Sequence, residues 1–185
     1  MPGQLRIIGG EWGGRRLSVG QAPGLRPTAD RNRETLFNWL QGRLSGAKVL
    51  DLFAGTGALG LEALSRGAAQ AVFVERSKPV AWALTERLRL LDGAERAQVN
   101  TQEAKRYLRG EPQAFDLIFL DPPFNAGLLS ATLTTVIAGG WVHEMGLIYL
   151  EAGSHEASIT LPAGWRIWRE KRAGAVWFAL IERDS

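Results

Sequence analysis

The sequence has no cysteine and only two histidines. Without cysteine the chain can form no disulfide, thiolate zinc site or iron–sulfur cluster, and no mechanism can use a thiol nucleophile. The histidines, His143 and His155, are twelve residues apart in sequence with no clear pattern. We therefore expect both on the surface, and we predict no metal site.

Long apolar runs are also absent. The longest apolar stretch, Ala173 to Ile181, has nine residues including a glycine, whereas a helix that spans a membrane needs about 20. The chain opens with Met-Pro-Gly-Gln-Leu-Arg, which contains no apolar segment of the kind found in secretory signals. We therefore expect a cytoplasmic protein that does not associate with membranes.

The length and composition are those of an ordinary globular chain. Its 185 residues are 45% hydrophobic and 22% charged, which excludes a disordered or fibrous protein. A chain of this length forms one fold with a substantial core. We expect a monomer.

Positive charge is concentrated near the N-terminus. Residues 1–43 contain seven arginines and three acidic residues, whereas the remaining 142 residues carry 15 basic and 16 acidic side chains. Arginine binds phosphate in a bidentate manner and stacks on bases. A solvated basic face is the alternative, but the asymmetry favours a polyanionic partner for the N-terminal segment.

The hydrophobic pattern predicts an α/β fold. A basic hairpin, with strands at Leu5 to Gly9 and Arg15 to Val19, precedes a helix at Asp30 to Leu44. Strands are then predicted at Lys48 to Phe53, Gln70 to Glu75, Gln98 to Thr101, Phe115 to Asp121 and Leu147 to Glu151, and helices at Gly57 to Arg66, Ser77 to Leu91, Ala104 to Leu108 and Leu128 to Ala138. This alternation predicts a mostly parallel sheet with helices on both faces. The last two strands, Trp165 to Arg172 and Ala175 to Glu182, are expected to form an antiparallel hairpin.

A glycine-rich turn follows the first strand of the main domain. Gly55, Gly57 and Gly60 match the dinucleotide-binding pattern G-x-G-x-x-G, and Glu75 ends the second strand as a candidate ribose ligand. Asp51 lies just before the turn, where its carboxylate would repel a pyrophosphate and attract an ammonium group. The motif therefore favours S-adenosylmethionine over NAD. A capping role for Asp51 and a tight turn that binds no ligand are the structural alternatives.

A second motif, Asp121-Pro122-Pro123-Phe124, ends the fourth strand of this sheet. Ligands of open parallel sheets bind at this end of the strands. Proline stiffens the loop, so the Asp121 carboxylate and the Pro122 carbonyl form a rigid pair of acceptors for an exocyclic amine. Phe124 offers a face on which a base can stack. A stiffened loop with a core phenylalanine is the alternative interpretation.

Together these motifs resemble those of class I S-adenosylmethionine-dependent methyltransferases that act on amino groups, which have a Rossmann-like fold. The chain resembles more closely the RsmD family, the 16S rRNA (guanine(966)-N2)-methyltransferases. This closer similarity extends over nearly the whole chain, and it depends on residues 6–10, 14–15, 26–28, 30–31, 34–38 and 57–66.

The resemblance implies a role for each motif. The residues implied to surround S-adenosylmethionine and its product S-adenosylhomocysteine are Asp51, Phe53, Gly55, Thr56, Gly57, Glu75, Arg76, Glu103 and Ala104, and the catalytic loop is implied to be Asp121, Pro122, Pro123 and Phe124. Glu103 departs from the Asp or Asn that relatives often have before Ala104. Residues 1–44 would contact 16S rRNA in a 30S subunit or assembly intermediate, and 45–185 would form the methyltransferase domain. The expected RNA-binding residues are Arg6, Arg15, Arg16, Arg26 and Arg31.

Other functions use similar motifs. An adenine-N6 or glutamine-N5 methyltransferase would present a similar amine to the same loop, although DNA enzymes that read sequence usually carry a larger recognition domain. A non-catalytic RNA-binding assembly factor would not need both Asp51 and Asp121. An NAD-dependent enzyme would leave the Asp-Pro-Pro-Phe motif unexplained.

Overall fold

A computed structural model of the protein describes residues 3–20, 29–123, 127–155 and 159–184. Within these ranges the chain forms nine strands and five α-helices, and a 3-10 turn at Ala94–Arg96. The strands are β1 Gly3–Arg6, β2 Arg16–Val19, β3 Lys48–Asp51, β4 Gln70–Val74, β5 Ala97–Asn100, β6 Phe115–Leu120, β7 Val142–Gly153, β8 Trp165–Ala173 and β9 Val176–Arg183. The helices are α1 Asp30–Trp39, α2 Ala58–Ser65, α3 Lys78–Leu90, α4 Ala104–Tyr107 and α5 Leu128–Ala138.

Seven of the strands form one sheet in the order β5-β4-β3-β6-β7-β9-β8. The strands from β5 to β7 are parallel, and β9 is antiparallel to both β7 and β8. The predicted mostly parallel sheet with an antiparallel C-terminal hairpin is therefore confirmed. The strand order changes direction between β3 and β6, and the carboxyl ends of these strands form the crevice in which sheets of this type bind ligands.

Some predicted element boundaries are wrong. The first helix ends at Trp39 rather than Leu44, and Gly42 has a φ of +81°, which lies outside the helical region. The strand predicted at Leu147 to Glu151 extends over twelve residues as β7. The N-terminal hairpin pairs earlier than expected, from Gly3 with Val19 to Arg6 with Arg16.

The core consists of two hydrophobic clusters. One contains alternate sheet residues such as Phe119 and Tyr149, and it also includes Leu5, Ile7 and Trp12 of the N-terminal segment. The other contains the residues between them on the same strands, together with the buried face of α5. The two clusters follow from the alternation of side chains along each strand. The N-terminal hairpin therefore packs into the same core as the sheet.

Glu62 of α2 anchors the N-terminal segment. Its fully buried carboxylate accepts hydrogen bonds of 2.9 Å from the backbone N–H groups of Ile8 and Gly9 and from Arg66 Nε, and it pairs with Arg33 Nη1 at 3.5 Å. A buried carboxylate is stable only with such partners. Arg33 is 1% exposed and also pairs with Asp30 at 2.6 Å. The number of N-terminal arginines therefore overstates the positive charge that a partner can reach.

Candidate functional site

A cavity of about 680 Å³ opens at the carboxyl ends of the parallel strands. Its wall includes the ends of β3, β4 and β6, the loop after β5, and residues of β7 and α1. This is the crevice expected from the strand order. The end of β3, the turn after it and the start of α2 contribute eight residues to the wall: Asp51, Leu52, Phe53, Ala54, Gly55, Thr56, Ala58 and Leu59.

The cavity brings together most of the predicted site residues. Eight of the nine residues predicted to surround the cofactor line it, namely Asp51, Phe53, Gly55, Thr56, Glu75, Arg76, Glu103 and Ala104. Asp121, Pro122 and Pro123 of the predicted catalytic loop line the same space. Phe124 lies outside the described residues. Two motifs that are 70 residues apart in the sequence therefore meet in one cavity.

Glu75 shapes the glycine turn. Its Oε2 accepts the Gly55 N–H at 2.9 Å, and its Oε1 accepts the Ser77 N–H at 2.8 Å. Gly55 has a φ of +52°, which glycine adopts without steric cost. Each carboxylate oxygen has a second acceptor site, so these bonds orient the carboxylate and still allow it to accept a hydroxyl group.

Gly57 and Gly60 are explained by packing. A Cβ on Gly57 would lie 2.4 Å from Leu84 Cδ1, and one on Gly60 would lie 2.3 Å from Phe73 Cε1. Gly57 also has a φ of +83°. Neither glycine is on the cavity wall as the structure describes it. Both allow α2 to pack closely on α3 and β4, so the ligand contact predicted for Gly57 remains a prediction.

Asp51 is a buried acid at the centre of the site. Its Oδ2 accepts the Gly60 N–H at 3.0 Å. Burial raises the pKa of Asp51 to about 7, the Gly60 hydrogen bond partly lowers it, and the charge of Glu75 raises it further. A cation beside Asp51 would restore the ionised form.

The cavity has an acidic wall. Among the described residues the acidic ones are Asp51, Glu75, Glu103, Asp121 and Glu151, and the basic ones are Arg76 and Lys105. Charges of one sign lining a cleft concentrate ligands of the opposite sign. The wall therefore favours a cationic ligand and disfavours a pyrophosphate.

Glu151 was not among the residues identified from the sequence. It lies near the end of β7, is 5% exposed and lines the cavity. Its Oε2 accepts a 2.7 Å hydrogen bond from the Tyr149 hydroxyl. Burial first, and then the charges of Glu151 and Asp121, raise the pKa of Tyr149 well above its ordinary value, so this hydroxyl remains a donor. In the sequence, Glu151 is the last residue of a predicted strand, at the same sheet edge as Asp121. That position could have identified it as a candidate site residue.

The N-terminal segment also reaches the cavity. Ala29 and Asn32, at the start of α1, lie on its wall. Asn32 is buried. The sequence pattern predicted this helix but not its position on the cavity wall, because contacts between distant segments leave no local signal.

The arginines predicted to bind RNA lie outside the cavity. Arg6, Arg15, Arg16 and Arg31 are all exposed. Arg6 is directly opposite Arg16 in the hairpin, and Arg15 Nη2 donates to the Leu90 carbonyl at 2.8 Å. Arg26 lies outside the described residues.

The described ranges contain neither a membrane-spanning helix nor a cluster of metal-binding side chains. Across the described ranges, no helix is both long and apolar enough to cross a membrane. The same part of the chain contains no group of three or more histidine and acidic side chains placed to hold a metal ion.

Comparisons with known proteins agree along nearly the whole chain. A family model described as "Conserved hypothetical protein 95" matches residues 5–182. Ribosomal RNA small subunit methyltransferase D of Escherichia coli (strain K12) is 46% identical over 183 residues, which cover 99% of this chain and 92% of the relative. The protein of the same name from Haemophilus influenzae is 41% identical, over 97% of this chain and 94% of the relative.

A solved structure shares the architecture. The structure described as "Putative methyltransferase yhhF from Escherichia coli" superposes with a TM-score of 0.92 at 43% sequence identity, and the match covers 98% of this chain and 99% of that chain. The cavity therefore lies in a fold that a relative's experimental structure also adopts.

Proposed function

The chain belongs to the RsmD family, whose model spans residues 5–182, and we propose that it transfers a methyl group from S-adenosylmethionine to the exocyclic N2 amine of a guanine in 16S rRNA. The relatives from Escherichia coli and Haemophilus influenzae are named as small-subunit rRNA methyltransferases. The predictions of this family, of its fold and of a methyltransferase are confirmed.

One observation carries the proposal. Asp51 and Asp121 lie at the ends of neighbouring parallel strands, β3 and β6, and both line the same cavity. Strands of a sheet are about 4.8 Å apart, so a ligand held at Asp51 lies beside the Asp-Pro-Pro loop. A cofactor site and an amine-binding loop in one cavity are what methyl transfer requires.

The residues of the cavity fit S-adenosylmethionine. Its ammonium group would pair with the buried Asp51, whose pKa is raised to about 7 by burial without such a cation. Its ribose hydroxyls would donate to Glu75, whose two oxygens are already oriented by the Gly55 and Ser77 N–H groups. The acidic wall suits a ligand with a sulfonium and an ammonium group.

The protein orients the reacting amine. When bound, S-adenosylmethionine would supply a methyl group activated by its sulfonium: the methyl carbon would bond to the guanine N2 as its bond to sulfur breaks, and the proton lost from N2 would pass to solvent. The Asp121 carboxylate and the Pro122 carbonyl would accept hydrogen bonds from the two N–H groups of the amine, which directs the nitrogen lone pair into the cavity. Pro122 is buried, and its ring restricts the backbone, so these acceptors are held in place before the base arrives.

The N-terminal hairpin would hold the RNA. Arg6 and Arg16 are exposed and directly opposite each other, and like charges in this arrangement are destabilising without a counter-charge. A phosphate between them would supply it. With Arg15, Arg31 and Arg26, they would offset the few kcal/mol needed to turn the guanine out of its stack. Residues 1–44 would thus serve as the RNA-contacting part and 45–185 as the catalytic part.

We further propose that the protein works as a monomer in the cytoplasm on a 30S subunit or an assembly intermediate. A small-subunit particle is therefore the substrate for the decisive experiment. Single-turnover methyl transfer to such a particle should slow about 100-fold or more in Asp121→Ala, which removes the acceptor, by analogy with losing a preorganised hydrogen bond. S-adenosylhomocysteine affinity and thermal stability should remain close to wild type.

The matched control for that experiment is Asp116→Ala. Asp116 lies near the start of β6, the strand that Asp121 follows, and it accepts the Lys48 N–H at 2.8 Å. This variant should transfer methyl groups at the wild-type rate. Wild-type turnover in Asp121→Ala would contradict the proposed mechanism. RNA binding without transfer by the wild-type protein would instead support a non-catalytic assembly factor.

A further inference from the structure

Glu151 and Asp121 form a pair of carboxylates at one edge of the sheet. The last paired residues of β6 and β7 are Leu120 and Leu150, so the two acids follow one residue later on adjacent parallel strands. Adjacent strands are about 4.8 Å apart. Both acids lie on the wall of the cavity, and alternation places them on the same sheet face as Phe119 and Tyr149.

Burial of the Glu151 carboxylate carries a free-energy cost. Its neighbours on β7, Leu150 and Ala152, belong to the core, and it is paired across the sheet with Phe178. An acid that is only 5% exposed needs hydrogen-bonding partners to offset its lost hydration. The Tyr149 hydroxyl supplies one at 2.7 Å, and this bond also fixes the orientation of the carboxylate.

The orientation of the pair suits the Watson–Crick edge of guanine. Guanine presents two adjacent donors on that edge, the N1–H and the N2 amine, whereas adenine has an unprotonated N1 acceptor there. An extruded base is read by hydrogen bonds to this edge. If Asp121 accepts a hydrogen bond from the N2 amine, a second fixed acceptor beside Asp121 would face the N1–H.

We propose that Glu151 determines the specificity for guanine by accepting the N1–H of the target base, beside the amine held by Asp121. The inference rests on the proposed function and adds the residue that selects the base. A purine without the N1–H would direct a nitrogen lone pair at the carboxylate. Sites built to bind a particular N–H reject analogues that lack it far more strongly than apolar pockets do.

The test uses 2-aminopurine, which keeps the 2-amino group of guanine but lacks both the N1–H and the O6 atom. A small-subunit particle is reconstituted with guanine or 2-aminopurine at the target, and single-turnover methyl transfer is measured for each. The wild-type protein should prefer guanine by about 100-fold or more. Equal rates on the two particles would overturn the inference whatever the variants show.

The key variant is Glu151→Gln. Its amide oxygen can still accept the Tyr149 hydroxyl, while its NH2 group can donate to an unprotonated N1. The rate of transfer to guanine should fall at least 30-fold, and the rate of transfer to 2-aminopurine should fall less than threefold. The preference for guanine over 2-aminopurine should therefore decrease at least tenfold. If Glu151 served stability alone, Glu151→Gln would slow methyl transfer to both substrates equally. An unchanged preference for guanine would therefore overturn the inference.

Tyr149→Phe and Glu144→Gln complete the design. Tyr149→Phe removes only the hydroxyl that orients Glu151 and should reduce the preference for guanine about threefold. Glu144 is an exposed acid on the same strand, so Glu144→Gln should leave both rates unchanged. S-adenosylhomocysteine affinity should match wild type in all three variants. Failure of the wild-type protein to methylate guanine would overturn the proposed function itself, whereas an unchanged preference overturns only the role of Glu151.

Discussion

The guanidinium of Arg87 joins the N-terminal hairpin to the turn that lines the cavity: Nη1 donates to the Thr56 carbonyl at 3.1 Å. From the same group, Nε donates to the Ser18 carbonyl of β2 at 3.0 Å. Arg87 is 5% exposed, and burial lowers the pKa of its guanidinium. A single buried side chain therefore connects the proposed RNA-contacting hairpin with the proposed cofactor turn.

Replacing Arg87 with Met should loosen both segments. The buried Thr56 carbonyl would lose its donor, which costs about 1 to 3 kcal/mol, and the part-buried Ser18 carbonyl would lose a bond worth about 0.5 to 1.5 kcal/mol. The free energy of unfolding should therefore fall by about 1.5 to 4.5 kcal/mol. S-adenosylhomocysteine should also bind more weakly, because the Thr56 turn is no longer held. Denaturant unfolding and calorimetry measure the two effects.

Arg89→Met is the control on the same helix. Arg89 is exposed and pairs only with Glu86, at 2.9 Å, among its described contacts, and such pairs contribute about 0 to 1 kcal/mol. The connection through Arg87 would be refuted if the two variants had equal stability and equal cofactor affinity.

Asp51 makes opposite contributions to stability and to binding. Its folded-state pKa of about 7 lies above the ordinary value of 3.8, so the folded protein binds this proton more tightly than the unfolded chain. The resulting stabilisation is complete below about pH 3.8 and is lost as the pH rises through about 7. Asp51→Asn should therefore raise the stability of the ligand-free protein at pH 8 by roughly 1 to 4 kcal/mol, and should change it little at pH 4.

The same substitution should weaken binding of S-adenosylhomocysteine by about tenfold or more, because the ammonium loses its charged partner. Wild-type affinity should rise with pH up to about 7 as Asp51 ionises, and the affinity of Asp51→Asn should not. Asp184, which is exposed, offers the control substitution Asp184→Asn. A variant that is less stable than wild type at pH 8 would contradict the assignment.

Gly57→Ala tests whether packing requires the second glycine of the motif. The left-handed φ of +83° costs about 1 to 2 kcal/mol for alanine, and the contact with Leu84 adds about 1 to 3 kcal/mol. The free energy of unfolding, measured by denaturant titration, should fall by about 2 to 5 kcal/mol.

Two further variants separate the two causes. Gly42→Ala has nearly the same φ, +81°, but no atom within 4 Å of the new Cβ, so it should show only the backbone cost. Gly57→Ala in a Leu84→Ala background should cost less than in wild type, because the clashing methyl group is gone. Additive effects in that double-mutant cycle would show that the Leu84 contact is not the cause.

The Arg6–Arg16 pair should contribute to RNA affinity without contributing to folding. In Arg6→Ala with Arg16→Ala, RNA affinity should fall, and the slope of log affinity against log salt should decrease by about one per lost phosphate contact. Thermal stability should stay equal or rise, because two opposed like charges are removed. Filter binding over a range of salt concentrations provides the measurement.

A charge-matched control carries Arg106→Ala and Arg109→Ala, two exposed arginines near α4. Its salt slope should equal that of wild type. Cofactor affinity should be unchanged in both variants. Equal salt slopes in the hairpin variant and the control would show that Arg6 and Arg16 do not contact the RNA.

Local patterns in the sequence were sufficient for the sheet and for the two motifs. The alternation of strand and helix predicted the parallel sheet. The glycine turn after Asp51 and the motif that begins at Asp121, each at the carboxyl end of a predicted strand, predicted the edge at which a ligand would bind. These predictions succeeded because strand and helix periodicities, and the position of a motif at a strand end, are properties of short segments. The helix end at Trp39 was missed because a glycine with a positive φ, Gly42, follows it within a favourable hydrophobic pattern.

Only the tertiary structure decided which residues serve the cavity and which serve the core. Arg33 resembles the other N-terminal arginines in sequence but is buried against Glu62, and Glu151 resembles any acid at a strand end but lies beside Asp121. Gly57 fits a ligand-binding pattern but is explained by Leu84. Whether a charge faces water, a ligand or a buried partner depends on segments far away in the sequence. Sequence periodicity can assign a side chain to a face of a strand or helix, but it does not identify what packs against that face.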